Sequence, residues 1–154
     1  MNNGEFIIRV YGIIRNEKNE VLISDEFQLG IRMTKFPGGG LHYGEGTLDC
    51  LKREFREECN GQEIVNPEHF YTTDFYQKAL FYKNHQLISI YYMARLKEPI
   101  CFKISEKPFD FAEMNNGNQS FRWININDLN ETEITFPIDK IVSIKLKKQF
   151  GSKS

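Results

Sequence analysis

Arg53, Glu54, Glu57 and Glu58 fall within six consecutive residues, with Glu45 eight positions before Arg53 and the glycines Gly38, Gly39 and Gly40 before that. Carboxylates at helical spacing repel one another, so a chain that keeps three together has a cation to set among them. A divalent metal is the natural candidate. Mg²⁺ takes near-octahedral oxygen ligands, usually one or two carboxylates completed by water and substrate phosphate. Residues three and four apart on a helix face the same way, so Glu54, Glu57 and Glu58 form a compact oxygen surface. Arg53 lies away from the metal-facing edge but next to Glu57 at i+4, where it can clamp a carboxylate. The preceding glycines let backbone approach a ligand closely and can offer a carbonyl. Charge alone favours a plainer reading, a solvated helix face whose mixed charges pair with each other. The spacing of the whole segment overturns it.

The elements that must position these groups follow from periodicity. Leu48, Leu51, Phe55 and Cys59 recur at intervals of three and four, which predicts one buried helix face over 47–59. Thr47 reads as its N-cap and Asp49 as a favourable charge in its first turn. Asn60 and Gly61 tolerate the left-handed backbone that ends a helix. Upstream, 6–14 and 21–24 read as strands of a hairpin around the polar turn 16–20, and 31–36 as a short strand stopped by Pro37 and the glycines. Downstream, 70–77, 87–96 and 121–126 read as strands, 105–120 as a long polar loop, and Pro137 as the start of a last helix with Ile138, Ile141, Val142 and Leu146 on one face. The order β-β-β-α-β-β-β-α implies a mixed sheet with helices packed on it.

Gly39, five residues, Glu45, seven residues and then Arg53-Glu54-Phe55-Arg56-Glu57-Glu58 is a spacing that resembles the Nudix box of the Nudix (MutT-like) hydrolase family. Every position through Glu58 matches. Asn60 stands where the family has glycine, and Gly61 where it has an apolar residue, a contact that Ile64 or Val65 is placed to supply. The box spans 23 of 154 residues. Pro37 before the glycines, the strand at Trp123, and Phe136-Pro137 before the last helix also look like the family's arrangement. The resemblance implies an α/β/α sandwich of α+β type with a mixed β-sheet, and the acidic box on a loop-helix-loop. It implies one Nudix domain over 1–154, with a core of about 5–148 and a flexible tail at 149–154.

The same resemblance implies roles. Glu54, Glu57 and Glu58 would bind Mg²⁺ or Mn²⁺, with the Gly39 carbonyl as a further ligand, and Glu45 would support Arg53 by an ion pair. The implied reaction is hydrolysis of the pyrophosphate bond of a nucleotide or of a nucleoside diphosphate linked to another moiety, such as an NTP, ADP-ribose or a nucleotide sugar. Glu54, Glu57, Arg53 and Glu45 are then the catalytic set, with Glu54 as general base, or Glu106 or Glu113 from the long loop in its place. Family members often carry a glutamate shortly before the tryptophan strand. This chain has Asn118, Gln119 and Ser120 there, which keeps a second reading in view: a Nudix-fold module that binds or senses a nucleotide with little or no hydrolysis. A third, an interaction domain whose acidic helix is only surface, does not fit the box spacing.

Aromatic residues make up 14% of the chain, enough for a base-stacking platform besides the sheet core. Alternation puts Tyr91 and Tyr92 on opposite faces of one strand, so only some of these rings can line a pocket. Phe75 and Tyr92 are the expected base contacts, and Asp139 a polar one by analogy with oxidised-purine hydrolases. A formal net charge of −1 steers the molecule toward neither nucleic acid nor an anionic membrane. Lys145, Lys147, Lys148 and Lys153 read as a solvated helix end. The three cysteines, without CxxC spacing, read as reduced, mostly packing thiols. With no long apolar run and no signal-like start, the expected location is the cytoplasm, the partner a small-molecule nucleotide, and a homodimer is left open.

Overall fold

The computed structural model describes residues 3–152, and its contacts divide into two compact units. The division falls inside the first strand, between Gly12 and Ile13, and again after Pro37 and after Ile100. The α+β class that the resemblance implies holds, with two α-helices and seven strands in two sheets among the described residues.

The first unit, residues through Gly12 and Gly38–Ile100, contains a four-stranded sheet in the order β4-β1-β6-β5. Its strands are β1 (Glu5–Ile14), β4 (Gly38–Gly40), β5 (Ile64–Thr72) and β6 (His85–Leu96), and its helix is α1 (Thr47–Glu58). The glycines expected to form only a turn make the short strand β4, antiparallel to β1 with Val10 opposite Gly39. Gly38 needs its missing side chain twice: its φ is +154°, and a Cβ there would strike the Val10 carbonyl. Helix α1 packs on β4 and β5, and of its expected apolar face Leu51, Phe55 and Cys59 are buried and Leu48 half-buried. Tyr11 and Tyr91 stack at 5.2 Å, and Tyr91 is buried whereas Tyr92 is half-buried, as alternation requires.

β5 corrects the expected strand at 70–77: it begins at Ile64 and ends at Thr72. Pro67 and the polar run around it hid the strand. β5 is at the edge of the sheet, where a missing N–H is tolerated. Two register shifts interrupt its pairing with β6, and Asn66, within the first of them, has φ +56°.

The second unit, Ile13–Pro37 and residues from Cys101 on, has a three-stranded antiparallel sheet in the order β3-β2-β7. Here β2 is Glu20–Gln28, β3 Ile31–Lys35 and β7 Asn118–Asn125, and helix α2 is Pro137–Phe150. Pro137 sits at the start of α2 as predicted, and Ile138, Val142 and Leu146 are buried. The expected tail is helical to Phe150, Ser152 N donates to Asn127 Oδ1 at 2.6 Å, and residues 153 and 154 lie outside the described residues. The 101–117 segment contains neither helix nor strand, yet it is tied down. Phe109 N donates to Asp25 Oδ2 at 3.4 Å, and Asp110 N to Ser120 Oγ at 3.0 Å.

Candidate active site

Helix α1 is held at both ends by its own sequence. Gly46, not Thr47, is the N-cap, and its N–H donates to Asp49 Oδ2 at 3.2 Å, one half of a capping box. Thr47 is instead the first helical residue, and its hydroxyl shares a 2.6 Å hydrogen bond with the Tyr92 hydroxyl on β6. At the other end Asn60 and Gly61 have φ of 52° and 81°, and Gly61 N donates to Arg56 O at 2.9 Å. That is the six-to-one bond of a Schellman close. Asparagine therefore fills the left-handed position, and Ile64 is buried at the start of β5 just beyond it.

Arg53 organises the acidic groups. Its Nε donates to Glu45 Oε2 at 3.0 Å and its Nη2 to Glu45 Oε1 at 2.7 Å, a bidentate fork. The same Nη2 reaches the Gly40 carbonyl at 3.0 Å. Nη1 turns the other way and donates to Glu54 Oε1 at 3.0 Å and Glu57 Oε2 at 3.2 Å. One guanidinium thus touches three of the four box carboxylates, and its own pKa is raised, chiefly by Glu45. Glu45 also accepts from His42 N at 2.8 Å, so the loop before the helix is fixed from its side chain. The Arg53 hydrogen bonds, helped by His42 N–H, hold the Glu45 carboxyl down at about 2.

Gly39 completes this arrangement by what it lacks. A Cβ built on it would land on the Glu54 carboxylate, so Glu54 rests directly against the β4 backbone. Beneath the acidic edge, Cys50 Sγ contacts the Gly40 carbonyl at 3.4 Å, and burial pushes its thiol up to about 12. Burial does the same to Cys59, with the Glu58 charge adding to it. Glu57 projects furthest, with its side chain 58% exposed, while Glu58 is half-buried.

The first unit therefore brings Gly39, Glu45, Arg53, Glu54 and Glu57 together, with Glu58 on the next turn of the same helix. Tyr92 is joined to the helix start through Thr47, with its ring 5.9 Å edge-on from His69, and Phe75 lies on the exposed segment after β5. The other expected residues belong to the second unit. Asp139 is 1% exposed, and its Oδ2 accepts from Phe36 N at 3.4 Å, so this carboxylate serves the local fold. Glu106 and Glu113 are exposed, and Glu113 accepts from Asn115 Nδ2 at 3.0 Å. Asn118 Nδ2 donates to the Glu113 carbonyl at 2.7 Å, Gln119 Nε2 to Ser24 Oγ at 2.8 Å and Glu26 Oε2 at 3.2 Å, and Ser120 accepts from Asp110 N.

Two buried ion pairs in the second unit had no sequence signal. Asp25 is fully buried, takes Arg122 Nε at 2.7 Å and Nη2 at 3.3 Å, and accepts from the Thr34 hydroxyl at 2.8 Å. Lys35 Nζ lies 3.3 Å from Glu26 Oε2.

Oxygen-only donors suit a hard divalent cation such as Mg²⁺ or Mn²⁺. Among the described residues no three His, Cys, Asp or Glu side chains are gathered as a ligating group, and Arg53 Nη1 bridges Glu54 and Glu57. The donor types and the close backbone at Gly39 fit such an ion.

The model of the NUDIX domain matches residues 5–143. The chain belongs to the Nudix family. Solved Nudix structures share its fold. A MutT structure from work on Aliivibrio salmonicida and Vibrio cholerae is 22% identical with a TM-score of 0.63, over 95% of this chain and all of that one. A NUDIX hydrolase from Nitrosomonas europaea is 14% identical with a TM-score of 0.67, over 94% and 90%. The ORF135 protein of E. coli is 15% identical with a TM-score of 0.66, over 99% of both chains. At these identities the likeness is one of fold. No curated protein matches the chain. No helix of the described residues is long and apolar enough to cross a membrane.

Proposed function

We propose that this Nudix protein hydrolyses the pyrophosphate bond of a nucleotide, or of a nucleoside diphosphate linked to another moiety, with Mg²⁺ or Mn²⁺. The observation that carries the reading is the Arg53 hub, which sets Glu45, Glu54 and Glu57 around one guanidinium beside the Gly39 backbone. Glu54, Glu57, Glu58 and the Gly39 carbonyl would hold the cation. When bound, it neutralises diphosphate charge and favours attack of water at phosphorus. The residues do the rest. Glu45 fixes the Arg53 side chain and the loop before the helix, and Arg53 orients Glu54. Glu54, pressed against the β4 backbone, takes the proton of the attacking water as general base.

The chain acts as one domain in this reading, on a small-molecule nucleotide in the cytoplasm. The test is the appearance of cleaved nucleotide products, separated by chromatography, over a panel of NTPs, ADP-ribose, nucleotide sugars and dinucleoside polyphosphates with Mg²⁺ or Mn²⁺. Turnover of at least one, abolished by EDTA, is expected. Nucleotide binding without turnover of any would sink the hydrolase reading. It would favour a binding or sensing module, which the commitment of Gln119 and Ser120 to local hydrogen bonds also supports.

A further inference from the structure

The two sides of the Arg53 guanidinium are unequal. Toward Glu45 it makes a closed fork at 3.0 and 2.7 Å, backed by the Gly40 carbonyl and by the His42 N–H on the same carboxylate. Toward the helix it has only Nη1, which makes two single-point contacts at 3.0 and 3.2 Å, one of them to the largely exposed Glu57. Forked, charge-assisted pairs hold better than single contacts, and exposed ion pairs contribute little. If one side lets go, it is the Nη1 side.

That side engages Glu54 Oε1 and Glu57 Oε2, two oxygens a divalent cation would also need. We propose that Arg53 is a positioning residue with a built-in exchange: Nη1 is the counter-cation of Glu54 and Glu57, and a divalent metal takes those oxygens from it while Nε and Nη2 stay on Glu45 and Gly40. This rests on the metal-dependent reading above. Metal entry is then a competition between two cations, and Arg53 limits metal affinity while keeping the carboxylates aligned before the metal arrives.

Mn²⁺ binding to the full chain, read from the electron paramagnetic resonance of free Mn²⁺, tests this without any substrate. Arg53→Gln removes the competitor, and its Mn²⁺ dissociation constant is expected to fall about threefold to tenfold. Its turnover is expected to drop at the same time through kcat, because the variant also loses the fork to Glu45 and Gly40 that fixes the loop before the helix. Unchanged or weaker Mn²⁺ binding in Arg53→Gln would overturn the exchange. A second measurement needs no variant: ¹⁵N resonances of the Arg53 side chain in the wild-type protein. On Mg²⁺ addition the Nη1 protons should exchange with water about tenfold faster or more while the Nε proton keeps its protection. Loss of both, or of neither, overturns the proposal. A wild-type chain that binds no Mn²⁺ defeats the metal-dependent reading itself.

Discussion

Gly39 and Glu54 are built against each other: the space a side chain at 39 would fill is taken by the Glu54 carboxylate. Gly39→Ala must therefore push Glu54 off the β4 backbone. Steady-state kinetics on the best substrate should show about a 100-fold loss in kcat, the size of effect expected for a displacement near 1 Å. Thermal stability should change far less than activity. Full activity in Gly39→Ala would separate Glu54 from the chemistry.

Glu45 gives the Arg53 hub a pH signature. Its folded carboxyl sits at about 2 against an ordinary 4.5, so folding favours its ionised form. That stabilisation is present above pH 4.5 and is lost as pH falls through the window from 4.5 to about 2. Urea unfolding at pH 6.5 should find Glu45→Gln less stable than wild type, and the gap should narrow steadily below pH 4.5. A gap independent of pH would mean that the ion pair with Arg53 does not form in solution.

The thiols divide by burial. Cys50 and Cys59 are buried and pushed up to about 12, while Cys101 is exposed. At pH 8 an aromatic disulfide reagent should label one thiol per native chain, and all three cysteines after denaturation. Unfolding exposes groups that ionise near 9, so both buried thiols favour folding below that pH and cease to do so as pH rises toward 12. Fast labelling of Cys50 would show that the floor beneath Glu45 and Arg53 opens.

Asp25 should matter for stability rather than for chemistry. It is fully buried, and its pair with Arg122 also carries Thr34 and the backbone of Phe109. Removing one partner leaves a buried charge, so Arg122→Met should cost about 3 kcal/mol or more in denaturant unfolding. Asp25→Asn with Arg122→Met together should cost less than the sum of the two alone. Additive losses would show that the two side chains are not coupled.

The site was legible in the sequence to the extent that it is local. Arg53, Glu54, Glu57 and Glu58 share one helix, so spacing alone placed them, and the left-handed end at Asn60 followed from residue type. Glu45 to Arg53 closes over only a short loop. The Asp25–Arg122 clasp could not be read in this way, since its partners lie 97 residues apart and nothing in the strand around Asp25 names Arg122. β4 was hidden because glycine carries no strand propensity, and its pairing with β1 is set by the tertiary structure. Thr47 looked like a cap, but its hydroxyl goes to Tyr92, a partner 45 residues away.

The irregular β5 has a consequence for assembly. It lies at one edge of its sheet, with Pro67, two register shifts and Asn66 in a left-handed conformation within nine residues. A flat edge offers an even row of donors and acceptors that another chain can copy; this one is irregular and carries a proline, which has no N–H to donate. The first unit therefore carries its own guard against sheet-to-sheet growth, and association through β5 would have to use side chains rather than a shared ladder.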